Sequence, residues 1–234
     1  MKRLILAVTG LLVFTVLSAQ SLDQIVKNYS AANKLDKIAG FSTIKITAKM
    51  SMMGMEMPME MWMKNPNKIK TVTSMNGQEM ISVFDGEKGY VINPLAGSST
   101  PVEMTPEMTK QTMNSNVFQN SMVKYLKEGH LTLEGEEKVN EKPAFKLKAN
   151  IEGGNTAYMF IDKVSYLLVK TSATVNQGGQ TMTADSYPSN YTETNGILLP
   201  MKTTTTAGGM EIVMTFEKVE INIPMDDSIF TVKK

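Results

Sequence analysis

Between Met50 and Lys64 the chain reads MSMMGMEMPMEMWMK, and after Gly54 methionine takes every second place, at Met55, Met57, Met59, Met61 and Met63. Glu56, Pro58, Glu60, Trp62 and Lys64 fill the places between. A repeat of two residues belongs to a β-strand, because successive side chains point to opposite faces. On a helix the same spacing would scatter the methionines around the whole cylinder. This stretch therefore commits the chain to a sheet with one face paved by long, unbranched thioethers.

Three readings of that face compete. It can be ordinary core, although methionine's three rotatable bonds specify packing poorly. It can line a pocket for an acyl chain or another apolar segment, a use suited to adaptable side chains. It can also be a soft-metal site, since thioethers select Cu(I), and Ag(I) is equally soft. Against the metal, neighbouring methionines on one strand face stand roughly 6–7 Å apart, so one strand alone cannot close a coordination shell. The chain also has one histidine and no cysteine to complete such a shell.

Met1–Ala19 has the layout of an export signal: Lys2 and Arg3, an apolar run from Leu4 to Leu17, then the small residues Ser18 and Ala19. The apolar run is short for a membrane span. With no cysteine after the cleavage point, no lipid anchor through an N-terminal cysteine is expected, and the protein reads as periplasmic rather than an integral membrane protein. Without Lys2 and Arg3, 24 basic residues fall by two against 23 acidic ones, leaving about one net negative charge. That balance lacks the basic footprint nucleic-acid binding needs. The mature chain contains lysine but no arginine. With no disulfides its stability rests on the core alone, and residues 20–234 are long enough to build it as one domain.

Ser21 to Gly40 reads as a helix, with Ser21 and Gln24 as a capping pair and Gly40 as its stop. Leu22, Ile25, Val26, Tyr29, Leu35 and Ile38 form its apolar stripe, which predicts a plug across one sheet face. Strands are expected at Thr43–Met53, Met55–Lys64, Lys68–Met75, Gln78–Phe84 and Lys88–Asn93, turned at Gly54, Asn65-Pro66-Asn67, Asn76-Gly77 and Asp85-Gly86. Pro94–Pro101 reads as a loop. Thr105-Pro106-Glu107 starts one or two short helices marked by Met104, Met108, Met113, Val117, Phe118, Met122, Tyr125 and Leu126. Further strands are expected near 131–139, 143–151, 156–162, 165–172, 180–191, 198–206 and 210–219. The alternation Phe145, Leu147, Ala149, Ile151 and the alternation Met210, Ile212, Met214, Phe216 predict one apolar and one polar face. The fold class is mainly β: a single strongly curved antiparallel sheet, or incomplete barrel, of about 11–12 strands. An N-terminal helix and an inserted helical lid, about residues 104–128, cover its concave face.

Little in the chain looks catalytic. His130 stands alone, without a second histidine for the common zinc constellations. No GxSxG occurs, and the glycine pairs sit at turns between strand patterns rather than in a phosphate loop. Asp226-Asp227 is a carboxylate pair with no partner cluster. The expectation is a binding protein rather than an enzyme, with no cofactor and no metal.

The order of elements resembles the LolA-like outer-membrane lipoprotein-sorting family, in its Bacteroidetes-type form. The resemblance is carried by the first helix up to Gly40, Ile44–Met50 and the run WMKNPNKIK from Trp62 to Lys70. It continues through GQEMISVFDGEKGY (Gly77–Tyr90), Asn93-Pro94, EGEEKVNEKPAFKL (Glu134–Leu147), Ile161-Asp162-Lys163 and INIPMDDSIF (Ile221–Phe230). It implies a half-barrel whose hydrophobic cavity shields the acyl chains of a lipoprotein or related lipid in the periplasm. It also implies a monomer that receives cargo from an inner-membrane lipoprotein-releasing complex and hands it to an outer-membrane acceptor. Sibling folds sense lipoproteins or regulate an envelope-stress response. One departure is plain: the family's carriers hold the lid with an arginine, and this mature chain has none. On this reading Met55, Met57, Met59, Met61, Met63, Ile69, Met75, Met210, Ile212 and Met214 line the cavity. Met108, Met113, Phe118 and Met122 form the lid.

Overall fold

The computed structural model describes residues 20–114, 118, 121–151, 155–177 and 180–232. The expected export signal and Val117 lie outside the described residues. A helix, α1 (Leu22–Ala32), opens the chain, capped at Ser21, whose hydroxyl accepts from the Gln24 amide. The expected continuation to Gly40 does not form. Asn33 turns its side chain back to donate to the Tyr29 carbonyl at 2.8 Å, and Lys34 takes a left-handed φ of 55°. The remainder, Leu35–Gly40, is a 3-10 helix. The break turns one expected helix into a bent pair of elements.

Thirteen strands follow: β1 (Thr43–Met52), β2 (Met55–Lys64), β3 (Lys68–Met75), β4 (Gln78–Phe84), β5 (Gly89–Asn93) and β6 (Ser98–Glu103), then β7 (Leu131–Val139), β8 (Lys142–Ile151), β9 (Asn155–Asp162), β10 (Leu168–Gln177), β11 (Gln180–Thr194), β12 (Ile197–Ala207) and β13 (Met210–Ile221). The helices α2 (Pro106–Asn114) and α3 (Ser121–Lys127) lie between β6 and β7. All thirteen strands join one antiparallel sheet in the order β6-β5-β4-β3-β2-β1-β13-β12-β11-β10-β9-β8-β7. The expected loop at Pro94–Pro101 is corrected by β6, which pairs with β5 at Tyr90↔Glu103 and Asn93↔Ser98. Another strand, expected from Ser165, begins only at Leu168, because the turn before it holds Tyr166 at a φ of 57°.

The sheet is unclosed, with β6 and β7 as its edges, and it is curled. Strands about 4.8 Å apart would separate those edges by about 58 Å if flat. Yet Gly89 of β5, Glu103 of β6 and Lys124 of α3 line one cavity of about 490 Å³. α3 in turn contributes Met122 to a buried cluster containing Leu131 of β7. The two edges therefore approach across a helix, with α2 and α3 running from one to the other.

Two of the three buried clusters lie on the inner face of the sheet; a smaller third one, Val139, Ala144 and Phe160, lies on the outer face. Ile25 and Val26 of α1 and Met122 pack on Leu131, Phe145, Leu147, Ala149, Met159 and Ile161. Phe41, just past the 3-10 helix, packs on Ile44, Ile46, Ala48, Met59, Met63, Ile69 and Ile197. The opposite face carries lysines laid over rings, such as Lys45 and Lys70 over Trp62 at 5.2 and 5.5 Å. A strap from the C-terminus crosses back to this outer face. Lys64 and Lys68 donate to Asp227 at 2.6 and 2.9 Å, and Phe230 is buried.

Candidate functional site

Cross-strand register decides which side chains share a face. Met63, Met61, Met59, Met57 and Met55 stand opposite Ile44, Ile46, Ala48, Met50 and Met52 of β1. On the far side of β1, Met50 and Met52 face Met214 and Ile212 of β13. β3 places Ile69 beside Met63 and Thr73 beside Met59, so Met75 shares that face by the period of two. Met210 shares it with Ile212 and Met214. All ten expected lining positions thus project from the face that the helices cover.

Their exposure is graded along the strands. Met63 and Ile69, near the 3-10 helix, are buried, as are Met57 and Met59. Met61 and Met214 are half-buried against the same cluster. Met75 and Ile212 are also half-buried, while Met55 and Met210, beside the hairpin tips, are 42% and 44% exposed. The inner face is therefore roofed at one end and bare at the other.

The inner face continues beyond the methionines as a row of small residues, buried at Ala149 and half-buried on the other four strands. Ala149, Ala157, Ala173, Ala184 and Ala207 stand side by side on five consecutive strands, and Met210 ends the row. The next row reads Leu147, Met159, Thr171, Ser186, Thr205 and Ile212, with the Ser186 and Thr205 hydroxyls hydrogen-bonded at 2.8 Å. Of these alanines the sequence marks only Ala149, through the alternation of β8. The row itself exists only after β8 to β12 are aligned, because Ala157, Ala173, Ala184 and Ala207 each sit alone in their own strands.

The expected lid residues separate. Phe118 packs against the methionine cluster, whereas Met122 belongs to the cluster under α1. Met108 and Met113 are 39% and 37% exposed, and Met113 lines the cavity between the β5–β6 edge and the helices α2 and α3. That cavity is floored by Gly89 and Met104 and ringed by Lys88, Lys110, Lys124, Glu87 and Glu103. The Met104 sulfur occupies the place a Cβ on Gly89 would need, and the Thr112 hydroxyl donates to it at 3.7 Å. A second cavity, about 440 Å³, lies between the N-terminal helical pair and the insert, lined by Ser30, Leu35, Ile38, Phe118 and Val123. The buried Ser30 hydroxyl has no partner among the described residues. Both volumes fall in the ordinary range for small-molecule sites. Leu35 and Ile38, expected as parts of one helix stripe, are roof residues in their own right.

Ionisable groups at the inner face are few. Burial pushes the Tyr29 hydroxyl up to about 12, and it pushes Tyr191 up as well, where the Tyr29 hydroxyl adds to the effect. Both phenols stay neutral. His130 faces solvent with its Nδ1 3.6 Å from Glu128. Among the described residues no group of three or more His, Asp or Glu side chains is placed to hold a metal ion.

No family model matches the sequence, and no curated protein matches it. Solved structures do match the fold. The chain is similar to an outer-membrane lipoprotein-sorting protein domain from Vibrio parahaemolyticus, with 12% identity, a TM-score of 0.59 and coverage of 90% of this chain and 97% of that one. A LolA superfamily protein from Nitrosomonas europaea gives 14% identity, a TM-score of 0.61 and coverage of 92% and 99%. A DUF1329-family protein from Desulfovibrio piger gives 13%, 0.59, and coverage of 88% and 97%. An unclosed antiparallel sheet roofed on one face by short helices is the class of architecture these chains share. It is the LolA-like fold.

Proposed function

We propose that this protein is an exported carrier that binds the acyl chains of a lipoprotein or a related lipid on the inner face of its sheet. The observation that carries this reading is the half-roofed apolar face, with Met55 and Met210 bare at one end and Phe118 and the 3-10 helix closing the other. Its floor suits hydrocarbon: flexible thioethers accept chains of different length, and the alanine row leaves depth beside them. Each buried methylene contributes about 0.8 kcal/mol. Fourteen give about 11 kcal/mol, less an association cost of at least about 4 kcal/mol. The remainder corresponds to micromolar binding, firm enough to cross water and weak enough to release. The likeness to lipoprotein-sorting folds supports a periplasmic carrier working between an inner-membrane donor complex and an outer-membrane acceptor.

The test is native mass spectrometry on protein purified without detergent from the exporting cell. Wild type is expected to retain acyl lipid. A Met55→Glu/Met210→Glu variant, altered only at exposed positions, is expected to fold normally and lose it. Lipid-free wild type, or equal loading of the variant, removes the reading.

One observation favours a second reading. Met50 stands between Met57 and Met214 on adjacent strands, so the sheet gathers three thioethers where one strand could not, with Cβ atoms about 4.5–5.5 Å apart. Thioethers select Cu(I). Titration of lipid-stripped protein with Cu(I) decides it: submicromolar binding that Met50→Leu abolishes supports a metal site, and no binding dismisses it.

A further inference from the structure

We propose that the cavity between the β5–β6 edge and the helices α2 and α3 is a headgroup site for an anionic, hydrocarbon-bearing amphiphile. This rests on the acyl-binding reading and adds the chemical class of the ligand. The cavity has a polar rim and an apolar floor. Lys88, Lys110 and Lys124 supply three cations against Glu87 and Glu103, while Met104 and Met113 supply the apolar surface. Lys88 and Lys124 form no ion pair among the described residues, although most lysines of the outer face are paired, as in Lys45–Glu60, Lys146–Glu137 and Lys170–Asp185. An ammonium beside a low-dielectric floor attracts an anion more strongly than one in open water.

The position ties this site to the hydrocarbon face. Gly89 stands opposite Phe84, Phe84 opposite Ile69, Ile69 opposite Met63 and Met63 opposite Ile44, in one row. The cavity floor is therefore continuous with the inner face through this buried row, on the same side of the sheet as the methionines. The lysines come from three elements, the turn before β5, α2 and α3, and they converge because the helices that follow β6 fold back over the β5–β6 edge. A carboxylate or a phosphate satisfies the same three donors.

Calorimetric titration tests it with three probes on the full mature chain: dodecyl phosphate, dodecyl maltoside and inorganic phosphate. Wild type is expected to bind dodecyl phosphate more tightly than the maltoside and to bind inorganic phosphate weakly or not at all. Lys88→Gln/Lys124→Gln, at exposed positions, is expected to weaken dodecyl phosphate by about tenfold or more and leave dodecyl maltoside unchanged. Equal affinity of wild type for the two amphiphiles, or an unchanged variant, overturns the headgroup site and leaves the acyl reading standing. Inorganic phosphate binding as tightly as dodecyl phosphate also overturns it, since a bare anion site needs no hydrocarbon. Failure of wild type to bind either amphiphile overturns both.

Discussion

Gly89 has no side chain, and Met104 uses the space. A methyl group there would meet the Met104 sulfur directly, and Met104 is buried, so the thioether can yield only by entering the cavity. Gly89→Ala is expected to cost about 1–3 kcal/mol, as overpacking does, measured by urea unfolding. Asp227 makes a different prediction. Hydrogen bonds from the Lys64 and Lys68 amines lower its carboxyl from 3.8 to about 2. A carboxyl depressed in the folded state adds stability above its unfolded value, and that stability is lost as pH falls through the folded one. The Tm gap between wild type and Asp227→Asn should therefore hold steady down to about pH 4 and close toward about pH 2. A gap unchanged at the acid end would show that the strap does not depend on this charge.

At the scale of elements, the methionine alternation is legible because it states its own period: it puts Met55, Met57, Met59, Met61 and Met63 on one face, as the β1–β2 register does. The β1–β2 turn at Gly54 and the Asn76-Gly77 hairpin were legible for the same reason, since each carries its own turn chemistry. β6 was not, because Ser98-Ser99-Thr100-Pro101 has no apolar alternation; its order comes from pairing with β5, and an edge strand tolerates the proline. The break at Lys34 was hidden because a lysine, not a glycine, takes the left-handed turn. The cavity at the β5–β6 edge was least legible, since residues near 88, 104, 113 and 124 meet only through the pairing of β5 with the unforeseen β6 and the fold-back of α2 and α3. α2 and α3 are short and rest on few buried side chains. Their amides are expected to exchange with deuterium faster than those of β1, β2 and β13, and to slow when dodecyl phosphate is added. Exchange in the helices as slow as in the central strands would mean that the roof is as rigid as the wall.

Across the whole molecule, methionines divide by exposure, which gives a chemical map of the surface. Met53, Met55, Met108, Met113 and Met210 are exposed, while Met57, Met63, Met104 and Met122 are buried. Mild peroxide should convert the first group to sulfoxides in the folded protein and reach the second only on unfolding. Bound amphiphile should protect Met55, Met113 and Met210 but not Met53, at the β1–β2 turn. Equal protection of Met53 would point to coating by micelles. The gap between β6 and β7 has a mechanical meaning too. A closed barrel's diameter is fixed by its strand number and stagger, whereas here no hydrogen-bonded ring sets the bore. Widening the gutter only asks two short helices to slide on their seats, while the ladders along the wall stay intact; the gauge of this protein is set by its smallest parts.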